Sequence, residues 1–174
     1  MNPPLTTLKI ALLGRCVCVK ISGRANFVSS VDLKRVANEL WERGYHRFVF
    51  DVTECQTMDS TFLGVLSGIG LRVREEPAAD AAPLPELLNP IPRLLDLVEN
   101  LGVAELFKVV QAEAPVDGNF EALEHKDASH GETTRVCLDA HRLLMSLKPE
   151  NEKKFKDVAQ FLAEDLKRFE KEGN

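Results

Sequence analysis

The sequence predicts an α/β fold: a small mixed, mostly parallel sheet, helices packed mainly on one side, and a C-terminal helical hairpin. Short β-type runs alternate with segments of helical periodicity between residues 8 and 111. Residues 45–52 are apolar at consecutive positions in their centre, which is typical of a strand covered on both faces. Two amphipathic stripes then follow near the C-terminus.

The first elements have ordinary strand and helix signals. Residues 8–13 and 16–21 are short β-type runs joined at Gly14-Arg15, which predicts a hairpin. Residues 31–43 carry apolar side chains at helical spacing, and Gly44 then ends the helix. A strand at 45–52 after this helix implies a parallel, right-handed crossover from the second strand.

The most informative stretch joins the third strand to the next helix. The apolar strand ends at Asp51, a polar loop is expected after it, and Met58-Asp59-Ser60-Thr61 opens a helix at residues 60–74. Small polar residues at such a turn accept hydrogen bonds from free amides of the first helical turn. On local chemistry alone, Ser60 is therefore either a helix cap or a functional residue.

This stretch resembles the signature of STAS domains, which are typified by bacterial anti-sigma factor antagonists. The matching residues are Asp51, Met58-Asp59-Ser60 and Leu63-Gly64-Val65-Leu66. The resemblance covers about residues 10–111, and Asn89-Pro90-Ile91-Pro92 is similar to the start of a later helix in the family. Phe62 departs from the pattern, because the family usually has glycine there; we expect it to be either a core anchor or a partner contact.

The resemblance implies that Ser60 is a phosphorylation site, and at a strand-to-helix turn its hydroxyl is expected to face solvent within reach of a kinase. In the family, a serine kinase that is also the anti-sigma factor modifies this serine, and a PP2C-type phosphatase reverses the modification. Asp59 and Thr61 flank Ser60, and Asp51 and Phe62 complete its expected surroundings.

A second loop is expected beside the serine. Where the family has Gly-x-x-Asp, this chain has Gly23-Arg24-Ala25-Asn26, so Asn26 stands in place of the aspartate. Arg24 adds a positive charge, which makes it a candidate for a charge-assisted contact with a phosphate.

Two functions follow from the resemblance. The first is a phosphorylation-switched interaction module that binds its kinase/anti-sigma partner when Ser60 is unmodified and regulates transcription in a bacterial cell. The second is a constitutive STAS scaffold of a lipid-transport or stress-signalling complex, in which Ser60 would be only a cap. An enzyme is not expected, because no histidine pairing, nucleophile elbow or phosphate-binding glycine loop is recognisable.

The composition argues against several classes of binding partner. A net charge of −5 without a basic cluster argues against nucleic acid, and no apolar run is long enough to insert into a membrane. The four cysteines are too few and too irregular for a disulfide framework or a zinc site, so no metal or cofactor is expected. Without a recognisable leader, the chain is expected in the cytoplasm.

The sequence divides into three parts. By the resemblance, residues 1–111 are expected to form a STAS domain; residues 112–130 are expected to be a polar linker with a helical turn around Glu121, and residues 131–174 an αα-hairpin. The hairpin is expected to pack on its own domain, on a second copy to form a homodimer, or on both; docking to another protein is the alternative. A polar loop is expected at residues 75–83.

Overall fold

Seven strands and five α-helices make up the part of the chain that the structure, a computed structural model, describes: residues 6–76 and 83–173. The strands are β1 (Thr6–Leu13), β2 (Cys16–Ala25), β3 (Arg47–Asp51), β4 (Cys55–Met58), β5 (Glu86–Leu88), β6 (Lys108–Val110) and β7 (Glu121–Ala122). The helices are α1 (Phe27–Glu42), α2 (Ser60–Glu75), α3 (Pro92–Asn100), α4 (His130–Leu147) and α5 (Pro149–Glu172).

The strands form one mixed sheet in the order β6-β5-β3-β2-β1-β7, with β4 paired to the end of β2. β1 is antiparallel to β2 and β7, whereas β2, β3, β5, β6 and β4 pair in parallel. The predicted mixed, mostly parallel sheet is therefore confirmed.

The helices share one core with one face of this sheet. Buried side chains from α1, α2, α3 and α4 meet those of β2 and β3 there, including Val19, Phe50, Leu66, Val98 and Leu144. The predicted placement of helices mainly on one side is confirmed. Their packing brings the start of α2 beside both α1 and α4.

Strand β4 was not predicted, because the sequence after Asp51 was interpreted as a polar loop. In the structure, Cys55 pairs with Gly23 and Met58 with Ala25, so β2 continues beyond its predicted end. Burial of Cys55 accompanies this pairing. Asn26 directly follows the end of β2, and Asp59 directly follows the end of β4. The two residues therefore lie at the same edge of the sheet.

Residues 112–130 run in contact with the domain. The predicted helical turn around Glu121 is wrong: Glu121–Ala122 is strand β7, which pairs with β1. Before it, the Phe120 ring lies 4.0 Å from Lys20 Nζ on the sheet face opposite the helices. After it, His125 Nδ1 lies 2.7 Å from Asp32 Oδ2 of α1. Residues 77–82 of the predicted polar loop lie outside the described residues.

The C-terminal hairpin packs on its own domain. Val136, Ala140 and Leu144 of α4 belong to the main core. Helix α5 lies against α4, and the Asn151 side chain donates to the carbonyls of Leu101 and Leu144 at 2.9 and 2.8 Å. This is one of the arrangements expected from the sequence.

Helices α2 and α4 approach most closely at Gly64. A Cβ placed there would lie 2.6 Å from Ala140 Cβ and 2.9 Å from the Ala140 carbonyl oxygen, so the two helices would have to separate. At Gly68, on the same helix, a Cβ would meet only Leu143 Cδ2 at 3.5 Å.

We therefore expect Gly64→Ala to lower the free energy of unfolding by about 1–3 kcal/mol, as overpacking usually does. Gly68→Ala is the matched control and should be neutral or stabilising by up to about 1 kcal/mol, because alanine favours helix. Urea unfolding of the two variants measures this difference. Equal stabilities would contradict the close approach of α2 and α4.

Candidate switch site at the start of helix α2

Asp59 joins the first turns of two helices. It is the N-cap of α2, and its Oδ1 accepts a hydrogen bond from the Phe62 amide at 2.8 Å. Its Oδ2 accepts from the Phe27 amide, in the first turn of α1, at 2.7 Å. A carboxylate at two helix N-termini satisfies free amides and interacts favourably with both helix dipoles.

Burial raises the pKa of the Asp59 carboxyl, while the hydrogen bonds from Phe62 and Phe27 and the charge of His141 oppose that rise. These amide bonds are what compensates the carboxylate for its lost hydration. The interpretation of Ser60 as the cap is wrong, because Asp59 takes that role. The Ser60 hydroxyl therefore has another partner.

That partner is a histidine of the C-terminal hairpin. Ser60 Oγ lies 2.9 Å from His141 Nε2, and His141 Nδ1 lies 2.7 Å from the Cys137 carbonyl oxygen. A carbonyl only accepts, so Nδ1 carries the hydrogen. In the neutral ring, Nε2 is consequently the acceptor for the Ser60 hydroxyl.

Helix α4 covers one side of the serine. Ser60 is half-buried, although the sequence predicted a solvent-facing hydroxyl. Thr61 is buried, and burial raises the pKa of the Cys137 thiol. The His141 ring is buried too, with the Phe155 ring of α5 5.0 Å away between centroids. Sequence reasoning missed His141; its only signal was a position four residues after Cys137 on the apolar face of α4.

Asn26 and Arg24 lie along the neighbouring strand end. Asn26 caps α1 by accepting from the Ser29 amide at 3.2 Å, and the Asp59 amide donates to the Ala25 carbonyl at 2.9 Å. Asn26 and Asp59 are thus adjacent caps of adjacent helices. Arg24 is exposed, and its guanidinium makes no hydrogen bond or ion pair with residues 6–76 and 83–173.

Asp51 is not brought to Ser60. Its Oδ1 accepts from the Thr53 amide at 3.0 Å, and its side chain lines a cavity of about 430 Å³ together with Lys9 and Lys20. Those residues pair across neighbouring strands on the sheet face opposite the helices. Asp51 therefore belongs to a different surface from the Ser60–His141 pair.

Phe62 has no exposed surface and belongs to the main core. Of the two roles expected for it, core anchor and partner contact, the structure supports the first. The glycine of the family pattern is thus replaced by a packed side chain.

In residues 6–76 and 83–173, no three His, Cys, Asp or Glu side chains are grouped so that they could hold a metal ion. Within the same ranges, no helix combines the length and apolarity needed to cross a membrane.

Solved structures share this architecture. An anti-sigma factor antagonist from Mycobacterium paratuberculosis matches with a TM-score of 0.53 and 14% sequence identity, over 65% of this chain and 92% of its own. The antagonist SpoIIAA in its unphosphorylated form matches with a TM-score of 0.51 and 18% identity, over 61% of this chain and 90% of its own. The chain has a STAS-like fold.

At these identities, the similarity establishes the fold alone. No family profile and no curated protein sequence matches the chain. The matches take in 90% and 92% of the two antagonists but 61% and 65% of this chain.

Proposed function

We propose that this chain is a STAS-like interaction module that is switched by phosphorylation of Ser60. The observation that supports this most is that Asp59, and not Ser60, caps the helix. The Asp59 carboxylate accepts both capping hydrogen bonds, so the Ser60 hydroxyl lies in the first turn of α2 without capping the helix. A serine in that position can be modified without removing a cap from the helix.

A phosphate at Ser60 would change the local charge strongly. It adds roughly −1.5 to −2 charges at neutral pH. The helix N-terminus attracts it, but the amides of Phe62 and Phe27 already donate to Asp59, which repels it. The modified surface is therefore acidic, which suits release of a partner better than its capture.

The partner surface that we propose lies beside this charge. Phe27 and Val28 at the start of α1 are 46% and 43% exposed, and the Phe27 amide is the one bound to Asp59. In this proposal the partner buries the apolar pair when it docks. A phosphate dianion on Ser60, next to this pair, would weaken that docking.

The resemblance suggests which proteins act here. The partner for the unmodified form would be a serine kinase that is also an anti-sigma factor, and a PP2C-type phosphatase would restore that form. The output would be regulation of transcription in a bacterial cytoplasm. We further propose that the chain does no chemistry itself.

One observation favours the rival function, a constitutive scaffold. Ser60 is half-buried and bound to His141, as a purely structural serine would be. In that case Ser60 would contribute only to packing between α2 and α4.

Substitution of Ser60 separates the two functions. We expect Ser60→Ala to keep the affinity for the kinase partner and Ser60→Glu to lower it at least about tenfold, or about 1.4 kcal/mol. Titration calorimetry with the partner that co-purifies with the parent chain measures both. Ser146→Glu is the control, because Ser146 is an exposed serine of α4. Equal affinities of Ser60→Glu and Ser146→Glu would favour the scaffold.

A further inference from the structure

We infer that His141 is the phosphate-binding residue of the Ser60 site, so that phosphorylation ties helix α4 to the start of α2. This inference rests on the proposed function, since it concerns the modified state of the same serine. It assigns a role to helix α4 of the C-terminal hairpin.

The geometry of the imidazole already fits this role. Nε2 lies 2.9 Å from Ser60 Oγ, the atom that would carry the phosphate. Nδ1 is held 2.7 Å from the Cys137 carbonyl, so the ring cannot turn without breaking that bond. The Phe155 ring packs beside it. A phosphate attached to Oγ would therefore meet an imidazole that is fixed in position.

Protonation changes His141 from acceptor to donor. When the His141 ring is neutral, Nε2 accepts the Ser60 hydroxyl hydrogen; after phosphorylation that hydrogen is gone. A proton from solvent on Nε2 gives an imidazolium with two donors, one for the Cys137 carbonyl and one for a phosphate oxygen. Charge-assisted bonds of this kind are roughly twice as strong as neutral ones.

Negative charge would lie on one side of His141 in that state. Asp59, the residue before Ser60, is an acidic group at this end of α2. The phosphate would add a second negative group on the same side. On α4 and α5, the hydrogen-bond and aromatic partners of the ring are the Cys137 carbonyl and Phe155, neither of which is cationic.

The exposed arginine offers a rival site for the phosphate. Arg24 lies on the neighbouring strand end, and its side chain is exposed. Placing it on a phosphate would require ordering a long side chain, which carries an entropy cost. His141 is already in place, so we assign the phosphate to it.

The test uses the full chain with phosphoserine installed at position 60 during translation, so no kinase is needed. At neutral pH, nitrogen NMR of the imidazoles should show His141 protonated on one nitrogen in the unmodified chain and on both in the phosphorylated chain. His141→Gln should move the phosphorus NMR titration of the phosphoserine to higher pH, by on the order of one unit, because a nearby cation is lost.

His130→Gln is the matched control. His130 lies on the same helix, is exposed, and has Asp165 as its partner at 3.0 Å. It should leave the phosphoserine titration unchanged. If His141→Gln does not fold, the nitrogen spectrum of the phosphorylated parent chain decides alone.

The inference is wrong if His141 carries a proton on only one nitrogen in the phosphorylated chain. It is also wrong if the phosphoserine titrates identically in His141→Gln and His130→Gln. Such a failure leaves phosphorylation of Ser60 itself intact. Conversely, if Ser60 carries no phosphate in the cells that produce the chain, the proposed function is wrong. The contact between His141 and the installed phosphoserine would still hold.

Discussion

Deletion of the C-terminal hairpin, residues 131–174, is expected to unfold the rest of the chain at ordinary temperature. Leu144 is completely buried in the main core, and Val136 and Ala140 lie there too. Burial of a single large apolar side chain contributes about 1.5–3 kcal/mol. Loss of several such contacts approaches the whole stability of a domain, about 5–15 kcal/mol.

Thermal unfolding followed by circular dichroism, together with mass in solution, measures the effect of this deletion. Deletion of residues 161–174 alone is the control. It removes Leu162 and Leu166, which pack against Leu138 in a smaller cluster outside the main core, so we expect a smaller loss. A truncated chain 1–130 that melts like the parent would show that the hairpin is an independent docking arm.

Phe62→Ala is expected to lower the free energy of unfolding by about 3–5 kcal/mol, the usual loss for a large buried aromatic side chain. Phe62 is 0% exposed and belongs to the core that the sheet shares with the helices. The loss combines the removed apolar burial with the cavity left between α2 and its neighbours.

Phe161→Ala is the matched control, because Phe161 is 60% exposed on α5. Its effect should stay within about 0.5 kcal/mol, as is usual for surface positions. Urea unfolding of both variants gives the comparison. If Phe62→Ala unfolds at the same urea concentration as Phe161→Ala, Phe62 is not a core anchor.

Much of the fold could be predicted because its longer elements carry local signals. Helices α1, α2, α3 and α4 have clear apolar periodicity, and β3 has a continuous apolar centre. β4 and β7 were missed for a common reason. Cys55–Met58 and Glu121–Ala122 are short, and each becomes a strand only by pairing with a distant partner. Such pairing leaves little trace in a local pattern.

The site was predictable only where it is local in sequence. Asp59 and Ser60 follow from the motif and lie together at the start of α2. His141 is 81 residues from Ser60, and no spacing rule connects them. Asp51 shows the reverse case. It is near Ser60 in the sequence, but strand alternation directs its side chain to the opposite face of the sheet.

The central claim, a switch at Ser60, is tested most directly by mapping phosphate on the chain isolated from the cells that make it. Peptide mass spectrometry should find phosphate on Ser60, in a fraction that varies with growth conditions, and Ser60→Ala should abolish it without unfolding the chain. Phosphate absent from Ser60 under every condition, or present only on another residue, would contradict the switch and favour the constitutive scaffold.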